Sequence, residues 1–107
     1  MATKEQILIF KRSADQIYSL KDYTSATILY FKTLFAIHDC ILLEKIGYAP
    51  KDHSERFRLL EKNYPEEYKI LDKEFNTYRS TYSRIISKET CDRIKKIIEN
   101  ETKNLKL

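Results

Sequence analysis

The chain has 107 residues, 42% of them hydrophobic and 34% charged, with a net charge of +4, one glycine and two prolines. That length supports one domain around one hydrophobic core, and it excludes a catalytic domain joined to a separate binding domain. So few turn residues favour long helices with few connections, and the mild positive excess excludes the strongly basic balance of a dedicated nucleic-acid binder.

The N-terminal stretch MATKEQILIFKRSADQ has no run of about 7 to 15 apolar residues and therefore no signal-peptide pattern. Nothing later reads as a membrane span, so a soluble, cytoplasmic protein without membrane contact is expected. Instead, Ile7, Phe10, Ala14, Ile17 and Lys21 recur at spacings of three and four, which predicts a first helix from about Thr3 to Lys21. Thr3 and Gln6 have capping-box spacing at its start. After a short turn at SLKDYTS, a second helix is expected from about Tyr23 to Ile46. It carries two apolar stripes: Ala26, Tyr30, Leu34, Ile37 and Ile41 on one, Phe31, Phe35, His38 and Leu42 on the other. A helix apolar on two sides is buried on two sides, at the centre of a bundle or in part at an oligomer interface.

Gly47 is placed to end that helix in a left-handed cap, and Pro50 prevents its resumption. Asp52 and Glu55 in DHSE have capping-box spacing, which predicts a short third helix of about ten residues. NYPEE restarts the chain, with Pro65 suited to a first helical turn and Glu66 and Glu67 to its positive dipole end. The fourth helix should then bury Tyr68, Leu71, Phe75, Tyr78, Tyr82 and Ile85 along one stripe. Ser87 can cap a fifth helix whose inner side holds Cys91, Ile94 and Ile98, with the last residues, ETKNLKL, frayed. Cys40 and Cys91 lack any CxxC or Cys/His spacing, so reduced thiols are expected, with no structural zinc. The fold class is all-α, an up-and-down bundle of four to five helices in a single domain with its core between about residues 3 and 98.

The order of features in DYTSATILYFKTLFAIHDCILLEKIGYAPKDHSERFRLLEKNY, followed by a helix bearing tyrosine and arginine, resembles the HEPN family of small prokaryotic helical domains. The matching positions are Tyr23, Ala26, Tyr30, Phe31, Phe35, Ala36, Leu42, Leu43, Gly47 and His53, then Tyr78, Arg79 and Tyr82, within about residues 8 to 98. The resemblance implies a helical bundle that forms a homodimer and works beside a minimal nucleotidyltransferase as a toxin and antitoxin pair. Active members are similar to metal-independent ribonucleases with an Arg-x(4-6)-His motif, in which arginine neutralises a phosphate and histidine moves a proton. Neither His38 nor His53 has an arginine at that distance before it. The nearest substitute is Lys32 before His38, which lacks the bidentate fork.

The remaining candidates have two readings each. His53 either satisfies a helix end or belongs to a functional site. His38, set among Phe31, Leu34, Phe35, Ile41 and Leu42, is expected to be a buried or interface histidine with one hydrogen-bond partner. Arg79 either lies over Tyr82 or Phe75 or serves as a phosphate ligand in a groove shared with His53. Tyr78 and Tyr82 are expected in the core with their hydroxyls at its rim. From Arg79 to Lys96 the stretch includes Arg84, Lys88, Arg93 and Lys95 against Glu89 and Asp92, a net charge of +4 equal to that of the whole chain. A solvated helix face, or a surface for RNA, a nucleotide or an acidic partner, fits that run.

The expected function is a nucleotide-binding or protein-interaction module, without cofactor or metal, that partners a minimal nucleotidyltransferase and lacks the usual ribonuclease motif. Its nucleotide-binding residues would be His53, Tyr78, Arg79, Tyr82 and Arg84. A ribonuclease toxin using His53 as acid or base and Arg79 as phosphate ligand is the alternative, and a purely structural helical dimer is the third reading.

Overall fold

Four of the five helices begin where a side chain captures an otherwise unpaired backbone N–H. The computed structural model describes residues 3–107 and contains α1 (Lys4–Ser19), α2 (Tyr23–Ile46), α3 (His53–Asn63), α4 (Pro65–Ser80) and α5 (Lys88–Asn104), with no strand among the described residues. Thr3, Asp22, Asp52 and Ser87 accept hydrogen bonds from the backbone N–H of Gln6, Ser25, Glu55 and Thr90, respectively. α4 starts differently, with Pro65 in its first turn followed by Glu66 and Glu67 against the positive dipole end. Gly47 closes α2 at φ 85°. A side chain there would meet nothing within 4 Å, so the left-handed backbone, not crowding, is what requires glycine.

α2 is the axis of the bundle. Ala26, Tyr30 and Leu34 of its first stripe, together with Phe31, pack with Ala14 of α1 and with Cys91, Ile94 and Ile98 of α5. Farther along, Ala36, Ile37 and Cys40 meet Ile7 of α1. On the other side Leu42 packs with Leu59 and Leu60 of α3 and Leu71 of α4. By length and composition α2 could cross a bilayer, but 61% of its most apolar window is buried inside the bundle, which accounts for that apolarity.

The structure departs from the expected pattern in three places. α4 stops at Ser80, so the stripe does not run on: Tyr82 is 75% exposed and Ile85 93% exposed. The hydroxyls of Ser80 and Thr81 donate to the backbone carbonyls of Asn76 and Tyr78, competing with helix continuation. At the other end of the chain the frayed tail is replaced by helix through Asn104. Glu101 and Thr102 are buried, and Leu105 and Leu107 pack against the cluster of Ile7, Ala36, Ile37 and Cys40.

The third departure is His38. It is fully buried, but neither ring nitrogen has a hydrogen-bond partner among the described residues; the nearest carboxylate oxygen, Oε2 of Glu67 on α4, lies 3.7 Å from Nε2. Arg56 and His53 of α3, Asp39 of α2 itself and Glu101 of α5 are the other ionisable groups around it. Burial, reinforced by the Arg56 charge, holds the imidazole neutral and lowers its pKa to about 3. Burial and the neighbouring Glu67 carboxyl push Glu101 the other way, to about 8.

Linkage gives these two shifts opposite signs. The folded chain keeps a proton on Glu101 that the unfolded chain releases above its ordinary 4.5, so this contribution is full below 4.5 and is lost as pH rises toward 8. Neutral His38 contributes stability above its ordinary 6.5 and loses it as pH falls toward 3. Of the two, only the Glu101 contribution changes above pH 6.5. Stability from urea denaturation should therefore fall between pH 6.5 and 8, by up to about 2 kcal/mol, and Glu101→Gln should flatten that slope.

Candidate functional site

The second stripe of α2 meets the start of α3 and the end of α4 around one histidine. His53 is the first residue of α3, but Asp52 provides the cap, so the imidazole is not needed at the helix end. Its ring sits against Phe35 of α2, with centroids 4.6 Å apart, and against Phe75 and Tyr78 of α4 at 5.4 and 5.6 Å. Nδ1 is sealed from solvent without a hydrogen-bond partner among the described residues, which leaves Nε2 as the nitrogen a ligand could use. Burial, then the neighbouring Arg56 charge, lower the His53 pKa, while Asp52 and Asp39 act weakly in the opposite direction.

A cavity of about 250 Å³ opens beside this ring, lined by Ile28, Lys32 and Phe35 of α2, by His53 and Tyr78, and by Thr81 and Tyr82 of the turn after α4. Tyr78 and Tyr82 stand edge to face at 5.5 Å with their hydroxyls 2.6 Å apart. Burial and that bond push the Tyr78 phenol up to about 12, so it remains a neutral hydrogen-bonding group. The walls thus combine aromatic surface, one ammonium group and phenolic hydroxyls. They can hold a flat ring by stacking and place an anionic substituent near Lys32.

Arg56, one turn along α3 from His53, braces the site from behind. It is only 7% exposed. Its Nη1 donates to the Phe35 carbonyl at 3.0 Å and to Oδ1 of Asp39 at 2.8 Å, and the guanidinium lies 5.0 Å from the centre of the Phe35 ring. The buried charge is paired, as burial requires.

Of the five residues expected to bind nucleotide, His53, Tyr78 and Tyr82 come together in the cavity. Arg84 instead lines a separate groove with Ser80, Thr90 and Arg93. Arg79 is exposed, has no side-chain hydrogen bond or ion pair among the described residues, and lies outside the lining of the His53 cavity. The basic run is partly neutralised in place. Arg93 grips the buried carboxylate of Glu74, Lys88 pairs with Asp92 and Lys95 with Glu99.

Lys32, Phe35 and Arg56 belong to the site but were not grouped with it by local pattern. Lys32 faces His53 across the cavity, whereas His38, which follows it in sequence, is buried elsewhere in the core. The three-residue spacing from His53 to Arg56 was the available sign that both lie on one face of α3. No group of three or more metal-ligating side chains is found among the described residues.

Fold and site together define an all-helical bundle with a small, aromatic-walled cavity between its central helix and the α3–α4 pair. Comparison with protein-family models, curated proteins and solved structures finds no match to the chain.

Because the folded state favours neutral His53, its contribution to stability is present above the ordinary 6.5 and lost as pH falls through the lowered value. Ring-proton NMR should show His53 titrating below 6.5 and His38 remaining neutral until about pH 3.

Proposed function

We propose that the protein is an HEPN-like nucleotide-binding module that forms a homodimer and partners a minimal nucleotidyltransferase in a toxin and antitoxin type of system, without ribonuclease activity of its own. The observation that carries the binding reading is the cavity wall itself: the rings of His53, Tyr78 and Tyr82 face a space of about 250 Å³ into which Lys32 brings a positive charge. Aromatic surface of this kind stacks with any base, and an ammonium group attracts a phosphate without requiring a metal.

A ribonuclease reading is favoured by one feature, the neutral His53 imidazole beside a cationic group, which is the minimum needed to move a proton near a phosphate. It is opposed by the placement of Arg79 outside the cavity lining and by the commitment of Arg56 to Asp39 and the Phe35 carbonyl.

Two of the eight tyrosines, Tyr78 and Tyr82, line the cavity and no tryptophan masks them, so part of the tyrosine fluorescence reports on it. Titration with AMP should give saturable quenching. Tyr82→Ala should weaken binding by about fivefold or more, since stacking on one aromatic ring contributes about 1 to 3 kcal/mol and tenfold corresponds to about 1.4, and Lys32→Glu should weaken it by reversing the charge that meets the phosphate. Absence of saturable binding would contradict the reading. Purified protein should leave single-stranded RNA intact; cleavage abolished by His53→Ala would establish the ribonuclease alternative instead.

A further inference from the structure

A second, more open cavity of about 350 Å³ adjoins the first along α2. Lys32 and Phe35 line both. The α2 residues facing the first cavity are Ile28, Lys32 and Phe35; those facing the second are Lys32, Phe35, Ala36 and Asp39. The second wall is therefore displaced by about one helical turn, roughly 5.4 Å along the axis. An axial offset of that size between the two α2 walls is on the scale of one nucleotide step along a single strand.

The lining of the second cavity differs in kind from that of the first. Ala36 and Ala49 present small side chains, Phe10 supplies an aromatic ring, and Gln6 and Asp39 supply polar edges. Oδ1 of Asp39 accepts from Nη1 of Arg56, so the carboxylate charge is balanced while it keeps acceptor capacity toward the cavity. A small-residue floor with an aromatic wall suits a planar ring. An acceptor carboxylate beside an amide suits a base edge rich in N–H donors, as guanine presents. Lys32, on the border, is exposed and has no ion pair among the described residues. It is the one cation common to both cavities.

We infer that the two cavities form one binding site for a dinucleotide, with one base against His53, Tyr78 and Tyr82, a second against Phe10, Ala36 and Ala49, and the linking phosphate on Lys32. This rests on the nucleotide-binding reading above and assigns the size and charge of the occupant. The same chemistry is offered by a free dinucleotide and by two consecutive residues of single-stranded RNA.

The full chain should be titrated with AMP, with the dinucleotide ApG and with a single-stranded oligomer of repeating A and G. Ala49→Leu fills the second cavity from a loop, outside the first cavity and outside any helix. ApG should bind at least tenfold more tightly than AMP, and Ala49→Leu should bring ApG down to the AMP level while leaving AMP unchanged. An oligomer that binds as tightly as ApG supports the site as a holder of RNA; ApG binding tighter than the oligomer supports it as a holder of the free dinucleotide. Equal affinity for AMP and ApG overturns the two-cavity site and leaves nucleotide binding standing. So does an Ala49→Leu variant that weakens both ligands alike or neither. If neither AMP nor ApG binds, the nucleotide-binding reading fails and the dinucleotide site fails with it.

Discussion

Everything in this structure depends on α2 being buried on both sides. A helix with one apolar face could cover one core; α2 is apolar on two sides and collects two groups of helices, with Phe31 of the second stripe turned to the first group. α1 and α5 close over Tyr30, Phe31 and Leu34, while α3 and α4 close over Leu42. The two groups also meet directly through polar contacts. The Arg93 guanidinium of α5 donates to both oxygens of Glu74 on α4, a carboxylate only 4% exposed, and this fixes the approach of the outer helices across the end of the bundle.

The candidate site follows from that division. Where the α3–α4 pair leans on α2, the side chains at the seam are Phe35, His53, Phe75 and Tyr78, four rings in mutual contact, with Tyr78 edge to face on Phe35 and His53 edge to face on Phe75. Arg56 holds the seam by reaching from α3 to the Phe35 carbonyl and the Asp39 carboxylate. A buried charge deprived of its partner costs about 3 to 5 kcal/mol, so this contact strongly favours one relative placement of α3 and α2. The cavity is thus a consequence of packing two pairs of helices on a central one. The chemistry it offers comes from the residues the seam leaves uncovered: Lys32, His53 and Tyr82.

Much of the fold was legible because its signals are local. Each cap is a short polar side chain three positions before the N–H it accepts, and Gly47 and Pro50 follow directly after α2. The two stripes of α2 imply burial on two sides, at the centre of a bundle or in part at an oligomer interface, and the packing of α1, α3, α4 and α5 around it gives the first. What failed was extrapolation along a period. Tyr82 and Ile85 continue the α4 spacing arithmetically, but the hydroxyls of Ser80 and Thr81 turn to the backbone and end the helix. The tail of α5 reads as polar, yet Leu105 and Leu107 find apolar neighbours contributed by α1 and α2, which no pattern within the tail itself encodes. The site was legible by half. His53, Tyr78 and Tyr82 share it, but Arg79 and Arg84 follow them in sequence without following them in space, and Lys32 and Phe35 enter from a different helix.

Native-state hydrogen exchange tests the central role of α2 most directly. If α2 is the shared wall of both halves, its amides from Tyr30 to Leu42 open only when the whole molecule unfolds, and their protection should be the highest in the chain and track global stability under denaturant. Protection in that segment no greater than in α3 or α4, or its loss at denaturant concentrations that leave α1 and α5 intact, would contradict the account.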